Sequence, residues 1–336
     1  QDFKANNLIK IKNLLGYIMN IFQYRKADNF LLNGVSVAMG NFDGLHLGHK
    51  AVINLAKPKV KSGKFGIVTF EPHPRELFFP KEKPFRLMTQ AAKTIGLKRL
   101  GLDFLIEIPF NKEISTLTPK LFVEKILFEY FNLNHIVVGA DFKFGRNRKG
   151  TAQMLRELGN SFGIDVTIAP LVKHKDLEIS STAIRQTLTN GELEKAAKML
   201  GDWYSIVGIV SEGDKRGRTL GYPTINLHME NLHLPKFGVY SSIVEVLTGA
   251  HKGSYVSVVS IGERPTYGKN KPNLEAHLLD FSGDLYGENV SVSLTAFQRP
   301  ELFFNTSEEL IAQMNIDCEI TKKNIQCISD HDKKNA

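Results

Sequence analysis

From residue 35 to about residue 190 the chain alternates short β-rich runs with stretches of helical period, and after Tyr204 the helical stretches stop. That change of pattern excludes more folds than any other feature. VSVAMG precedes HKAVINLAK, FGIVTF precedes AAKTIGLKRLG, DFLIEIPF precedes PKLFVEKILFEYF, HIVVGADF precedes AQMLRELGNSFG, and DVTIAP closes the series. Such alternation predicts βαβ units around a parallel sheet whose strands are buried on both faces. Ligands on these sheets bind beyond the carboxyl ends of the strands, so the loops after Gly40, Phe70 and Gly139 are expected to line one site. From Tyr204 the runs YSIVGIV, GVYSSIVEVL, SYVSVVSIG, NLEAHLLDF and NVSVSLTAF are split by Gly-rich turns, which predicts an antiparallel sheet or small barrel. Thr306 and Ser307 as caps, with Glu308 and Glu309 behind them, predict a closing helix. The expected organisation is an α/β domain over 1–190 and an antiparallel β-barrel domain over 200–336.

A chain of 336 residues is long enough for two such cores. The formal charge of +8 could reflect a nucleic-acid surface, but clusters of Lys and Arg equally suit a small polyphosphate, and no nucleic-acid partner is expected. Cys318 and Cys327 are the sole cysteines, which argues against a disulfide framework or a Cys-ligated zinc and for a reducing, cytoplasmic setting. The early stretch NLIKIKNLLGYIMNIFQYRK is interrupted by Lys10 and Lys12, is too short to span a bilayer and lacks a signal-peptide cleavage site. It is expected to pack on the domain as an amphipathic segment, with no membrane partner.

No Walker A motif is present: GRNRKGT, Gly145 to Thr151, has the glycine spacing but Thr151 in place of the lysine. The first strand does not lead into G-x-G-x-x-G either. It leads into GNFDGLHLGHK. Gly40, Gly44 and Gly48 let backbone approach a ligand, and a helix starting near Gly48 aims free N–H groups and a positive dipole end at it. His46 and His49 share one side of that first turn and can donate to phosphate oxygens. Neither has a Ser or Cys beside it to activate. The alternative is that one histidine caps the turn and the other packs in a core.

His46-Leu47-Gly48-His49 resembles the H-x-G-H mark of the nucleotidyltransferase superfamily. The resemblance implies that the pair stabilises attack on the α-phosphate of a nucleoside triphosphate, with Gly40, Asn41, Phe42, Asp43 and Gly44 around the nucleotide. ISSTAIR resembles a second mark of that superfamily: Ser180, Ser181 and Thr182 suit a helix N-cap, and Arg185 is implied to clamp the β- and γ-phosphates, the alternative being an ordinary helix start. TFEPHP and VVGADFKFGRNRKG resemble loops of bacterial FAD synthetases, which implies a flavin role for His73 and Asp141, the latter where that family often carries Asn. The cations Lys143, Arg146, Arg148 and Lys149 fit either a solvated loop or attraction of phosphate.

In the second half, GDKRGRTLGYPTINL, SIGERPTYG and NLEAHLLDFSGDLYG occur in the order found in riboflavin kinase, which they closely resemble. The resemblance implies a Greek-key barrel, nucleotide contacts from Gly213, Lys215, Gly217 and Gly221, and Mg²⁺ held by Thr224 and Asn226, oxygen donors suited to a hard cation. Glu275 is implied to take the proton of the ribityl 5′-hydroxyl. Its alternation with Leu274 and Ala276 fits an outward-facing strand residue equally well. FQRPELFF is implied to reach the flavin through Arg299 and Glu301, with Phe303 or Phe304 on the ring face.

Together these resemblances identify a Rossmann-like nucleotidyltransferase domain joined to a riboflavin kinase barrel, as in prokaryotic bifunctional riboflavin kinase/FAD synthetases. They imply small-molecule substrates, riboflavin, FMN and ATP, with FAD as final product, and direct attack on phosphorus in both steps. The alternatives are one active half or a non-catalytic flavin- or RNA-binding regulator. Nothing in the sequence speaks to oligomeric state.

Overall fold

In a computed structural model the described residues are 8–12, 18–24, 32, 34–58, 63–174, 177–213, 221–229, 231–264 and 271–335. They divide into two compact units, residues 1–82 with 94–179 and residues 83–93 with 180–336.

Unit 1 is built on a seven-stranded sheet. Its strands are β1 (Leu8–Lys12), β2 (Ile18–Gln23), β3 (Ser36–Met39), β4 (Phe65–Glu71), β5 (Phe104–Pro109), β6 (His135–Gly139) and β9 (Asp165–Ala169), while β7 (Lys143–Phe144) and β8 (Gly150–Thr151) make a small hairpin. They lie in the order β1-β2-β5-β4-β3-β6-β9, and all neighbours are parallel except β1 and β2. The expected alternation is present: α1 (Leu47–Leu55), α2 (Pro74–Phe78), α3 (Gln90–Arg99), α4 (Lys112–Thr116), α5 (Pro119–Leu121, running into π-helical turns over Phe122–Tyr130) and α6 (Ala152–Ser161) separate the strands. The early apolar segment is the difference. It adds two strands to the edge of the sheet, β2 pairing in parallel with β5, because an extended run with an unpaired neighbour satisfies its backbone in a ladder.

The core explains the composition of the strands. Val37, Met39, Val68, Ile106, Ile136 and Val138 pack with Phe122, Val123, Ile126 and Leu127, and burying each such side chain contributes about 1.5–3 kcal/mol. From β3 the chain winds outward through β4 and β5, then crosses back to β6 and β9. The strand order therefore reverses between β3 and β6, the point beyond whose carboxyl ends open α/β sheets bind ligands.

Unit 2 holds a six-stranded antiparallel sheet. The strands are β12 (Tyr204–Ile209), β13 (Ile225–His228), β14 (Gly238–Val246), β15 (Gly253–Arg264), β16 (Lys271–Leu278) and β17 (Asn289–Arg299), preceded in the chain by the short pair β10 (Lys173–His174) and β11 (Leu177–Glu178) of unit 1. Their order is β12-β17-β14-β15-β16-β13. Ser211, just past β12, bridges to Asn226 on β13 and closes the sheet into the expected barrel. Inward-facing Ile206, Leu227, Val259, Leu274 and Val292 are buried, and their outward neighbours make the period of two. Before the barrel come α7 (Ser181–Asn190) and α8 (Leu193–Leu200), each ended by a left-handed glycine, Gly191 and Gly201. The expected C-terminal helix spans Ser307–Asn335 and packs on β14, β15 and β17.

Candidate functional site

In unit 1 the loop after β3 carries three of the chain's positive-φ residues, Phe42 (φ 52), Gly44 (φ 93) and Leu45 (φ 44). Strain of this kind concentrates where a loop shape serves a site. Gly40 donates its N–H to Val68 O (3.1 Å), and the Phe42 ring, 1% exposed, covers Gly40. Asp43 and His46 are also buried. The His46 ring caps α1: its Nδ1 accepts from the His49 N–H at 3.2 Å. Since Nδ1 accepts, the ring proton of the neutral imidazole sits on Nε2, which is available as a donor. The two imidazoles stack with centroids 3.5 Å apart and planes 17° from parallel, and Phe42 meets the His49 ring edge-on at 5.4 Å. The capping that the sequence offered as an alternative is present at His46.

The glycine between the histidines now has a reason. A Cβ on Gly48 would sit 3.1 Å from His46 Nδ1 and 3.2 Å from its Cε1, so a methyl group there displaces the ring. Ala is the better helix former by about 0.5–1 kcal/mol. Gly48→Ala is therefore expected to hold or raise the melting temperature while slowing the reaction that this loop serves about tenfold, as misplaced groups do. An unchanged rate would show that the stack is not needed.

The other unit 1 residues lie at the same strand ends. His73 accepts from the Arg75 N–H (3.1 Å) and caps α2, while Glu76 returns a bond to the His73 N–H at 3.1 Å. Asp141 is exposed and its carboxylate folds over Gly139, where a Cβ would lie 2.9 Å from Oδ1. Lys143, Arg146, Arg148 and Lys149 are exposed around β7 and β8.

ISSTAIR falls across the division, with Ile179 in unit 1 and Ser180 onward in unit 2. Ser180 caps α7 by accepting from the Ala183 N–H at 3.1 Å. Ser181 and Thr182 open the helix, and Arg185 Nε donates to Phe85 O at 2.6 Å with its guanidinium 5.3 Å from the Phe85 ring centre.

On the barrel, Asn226 stands opposite Glu275 in the β13–β16 register. Partners across antiparallel strands share a face. Thr224 and Asn273 belong to that face too: Thr224 Oγ1 lies 3.5 Å from Glu275 Oε2, and Asn273 Nδ2 donates to Asn226 Oδ1 at 3.0 Å. Leu274 and Ala276, facing inward, are fully buried. Glu275 is thus an outward strand residue and also part of a polar group. Gly213 lies so close to the Asn226 amide that no side chain fits between them, and Gly221 takes a left-handed turn (φ 85). Lys215 and Gly217 lie outside the described residues.

Two features of the barrel were not legible in its sequence. Asn273 orients Asn226, a contact set by strand register. Beside Thr224 lies a cavity of about 310 Å³ walled by Val210, Pro223, Ile225, Leu278, Phe281 and Tyr286. Thr224, Ser282 and Asp284 add polar groups to its walls, so it could take a planar ring that carries polar edges.

Arg299 and Glu301 take different places. Arg299 makes a bidentate pair with Asp317 of the C-terminal helix, Nε to Oδ1 3.0 Å and Nη2 to Oδ2 2.6 Å, while Phe304 lies 6.0 Å from its guanidinium. Glu301 rests against the backbone of Gly262 on β15, and Phe303 is 90% exposed. Asp317 is 3% exposed and Arg299 17%, so truncating Asp317 leaves a largely buried guanidinium without its carboxylate, at up to about 3–5 kcal/mol. Asp317→Ala is expected to lower stability by about that amount in urea titrations; a loss under about 1 kcal/mol would mean the pair is dispensable.

Among the described residues no cluster of three or more His, Cys, Asp or Glu side chains is present. A cation would rely on the oxygen donors of Thr224 and Asn226, a hard pair suited to Mg²⁺ but not to a softer metal. Among the described residues no helix is long and apolar enough to cross a membrane.

The family model described as FAD synthetase matches residues 30–183, and the one described as riboflavin kinase matches residues 200–325. The bifunctional riboflavin kinase/FMN adenylyltransferase of Buchnera aphidicola (strain Sg) is 37% identical over 86% of this chain and 93% of its own length. The protein of that name from Escherichia coli K12 is 35% identical over 86% and 92%, and that from Haemophilus influenzae 34% over 88% and 95%. A crystal structure titled as a macrolide-efflux protein from Streptococcus pneumoniae superimposes with a TM-score of 0.78 at 30% identity, covering 90% of this chain and 98% of that one. The match extends over both units.

Proposed function

The chain belongs to the family of bifunctional riboflavin kinase/FMN adenylyltransferases, which phosphorylate riboflavin with ATP to FMN and adenylylate FMN with ATP to FAD, and from that premise we propose which residues perform each step. Phosphorylation belongs to the barrel domain, 200–336, and adenylylation to the α/β domain, 1–190.

In the kinase reaction the Glu275 carboxylate accepts the proton of the ribityl 5′-hydroxyl as that oxygen attacks the γ-phosphorus and ADP departs. The observation that carries this reading is the shared face of Thr224, Asn226 and Glu275. Thr224 and Asn226 would hold Mg²⁺, which when bound neutralises phosphate charge. The loop with Gly213, Lys215, Gly217 and Gly221 receives the phosphates, and the cavity beside Thr224 takes the adenine. Arg299, fixed by Asp317, and Glu301 face the flavin.

In adenylylation a phosphate oxygen of FMN attacks the α-phosphorus of ATP and pyrophosphate leaves. A phosphate monoester is largely ionised at pH 7, so the nucleophile needs no base. The stacked histidines fit this chemistry: His46 Nε2–H and His49 donate to oxygens on which charge builds, at the N-terminus of α1. Gly40, Asn41, Phe42, Asp43 and Gly44 shape the loop around the triphosphate. Ser180, Ser181, Thr182 and Arg185 hold its β- and γ-phosphates, and His73 and Asp141 contact the flavin.

Incubation with riboflavin, ATP and Mg²⁺, and separately with FMN, ATP and Mg²⁺, followed by chromatography, tests the whole scheme. FMN then FAD are expected from the first mixture and FAD from the second. Absence of both products would overturn it.

A further inference from the structure

Between β13 and β14 the barrel carries a short loop, residues 232–237, that grips α7. The backbone N–H of His233 donates to Arg86 O at 2.7 Å, where Arg86 and Leu232 form a parallel bridge. One residue earlier, Phe85 O accepts from Arg185 Nε at 2.6 Å. The His233 ring completes a cycle: its Nε2 lies 2.9 Å from Arg185 O and 3.0 Å from Thr189 Oγ1. Thr189 Oγ1 already donates to Arg185 O at 3.0 Å, so the imidazole supplies the proton and Nε2 is its N–H. Three residues on, the Lys236 N–H donates to Leu188 O at 3.0 Å. Arg185 is thus held at its guanidinium by residue 85 and at its carbonyl by the His233 side chain, and the two holds are joined through Arg86.

We propose that His233, a residue of the kinase barrel, is a positioning residue for Arg185 in FMN adenylylation. The inference rests on the reading of Arg185 as the group that holds the ATP β- and γ-phosphates. His233 touches no substrate; it acts by fixing the helical turn and the residue 85–86 segment between which the guanidinium is oriented. A bidentate group that recognises phosphate loses effect when its plane drifts. Loss of the ring therefore weakens ATP binding in this reaction more than turnover.

The test uses the full chain and both assays, FMN from riboflavin and FAD from FMN. His233→Ala is expected to raise KM for ATP in adenylylation about tenfold, to change its kcat less than threefold and to leave FMN formation within twofold. His233→Gln, whose amide N–H reaches the same carbonyl, is expected to recover most of the loss. In an Arg185→Ala background His233→Ala is expected to add nothing. If His233→Ala does not fold, the ring without a donor, His233→Phe, takes its place. Multiplying losses in the double variant, an adenylylation change under twofold while Arg185→Ala is severely impaired, or equal losses in both reactions would each overturn the proposal. Full adenylylation by Arg185→Ala would instead remove the reading of Arg185, and the proposal with it.

Discussion

Glu275→Gln is expected to cut FMN formation by about 10²- to 10⁴-fold, the range a positioned general base supplies. The substitution keeps the shape of the side chain and an oxygen for the Thr224 contact, so the polar face of β13 and β16 survives. Only the ability to take a proton from a neutral hydroxyl is removed. The loss should therefore fall on kcat, with KM for riboflavin and ATP little changed. FAD formation from supplied FMN should be unaffected, since an ionised phosphate needs no base. A kinase rate within a few fold of the parent would show that Glu275 is not the base.

The paired change His46→Ala with His49→Ala is expected to lower FAD formation from FMN by at least about 10³-fold, because removing even one preorganised donor costs about 10²–10³. FMN formation from riboflavin should persist. His46 is also the N-cap of α1, and loss of a cap costs about 1 kcal/mol. His46→Ser separates the two roles: serine restores the cap but its short hydroxyl replaces the Nε2 donor, so stability should return while activity does not. Undiminished FAD formation in the double variant would end the proposed role of the pair.

The motif residues were legible because each sits on an element whose local pattern is strong. The β3–loop–α1 passage, the α7 cap at Ser180 and the alternation around Glu275 are all written in spacings of a few residues. Contacts between distant segments were not. FQRPELFF singles out Arg299, but nothing in that run shows that Asp317, 18 residues away on another element, engages both arms of its fork. Asn273, the cavity at Phe281 and the grip of His233 on Arg185 are likewise products of register and packing. The early apolar segment shows the same limit: its composition suits several states, and the unpaired edge of β5 decides for strands.

The sequence by itself determined two architectures and the family, and it singled out Gly40–His49 and Thr224–Glu275 as candidate sites, because hydrophobic period and short motifs act within a turn or a strand pair. Only the tertiary structure decided how those groups are aimed. The His46 ring lies against Gly48, strand register sets Asn226 opposite Glu275, and a loop 48 residues later holds the carbonyl of Arg185. Orientation of this kind depends on which distant surfaces meet, and that is fixed by burial of the whole core and not by any local run of residues.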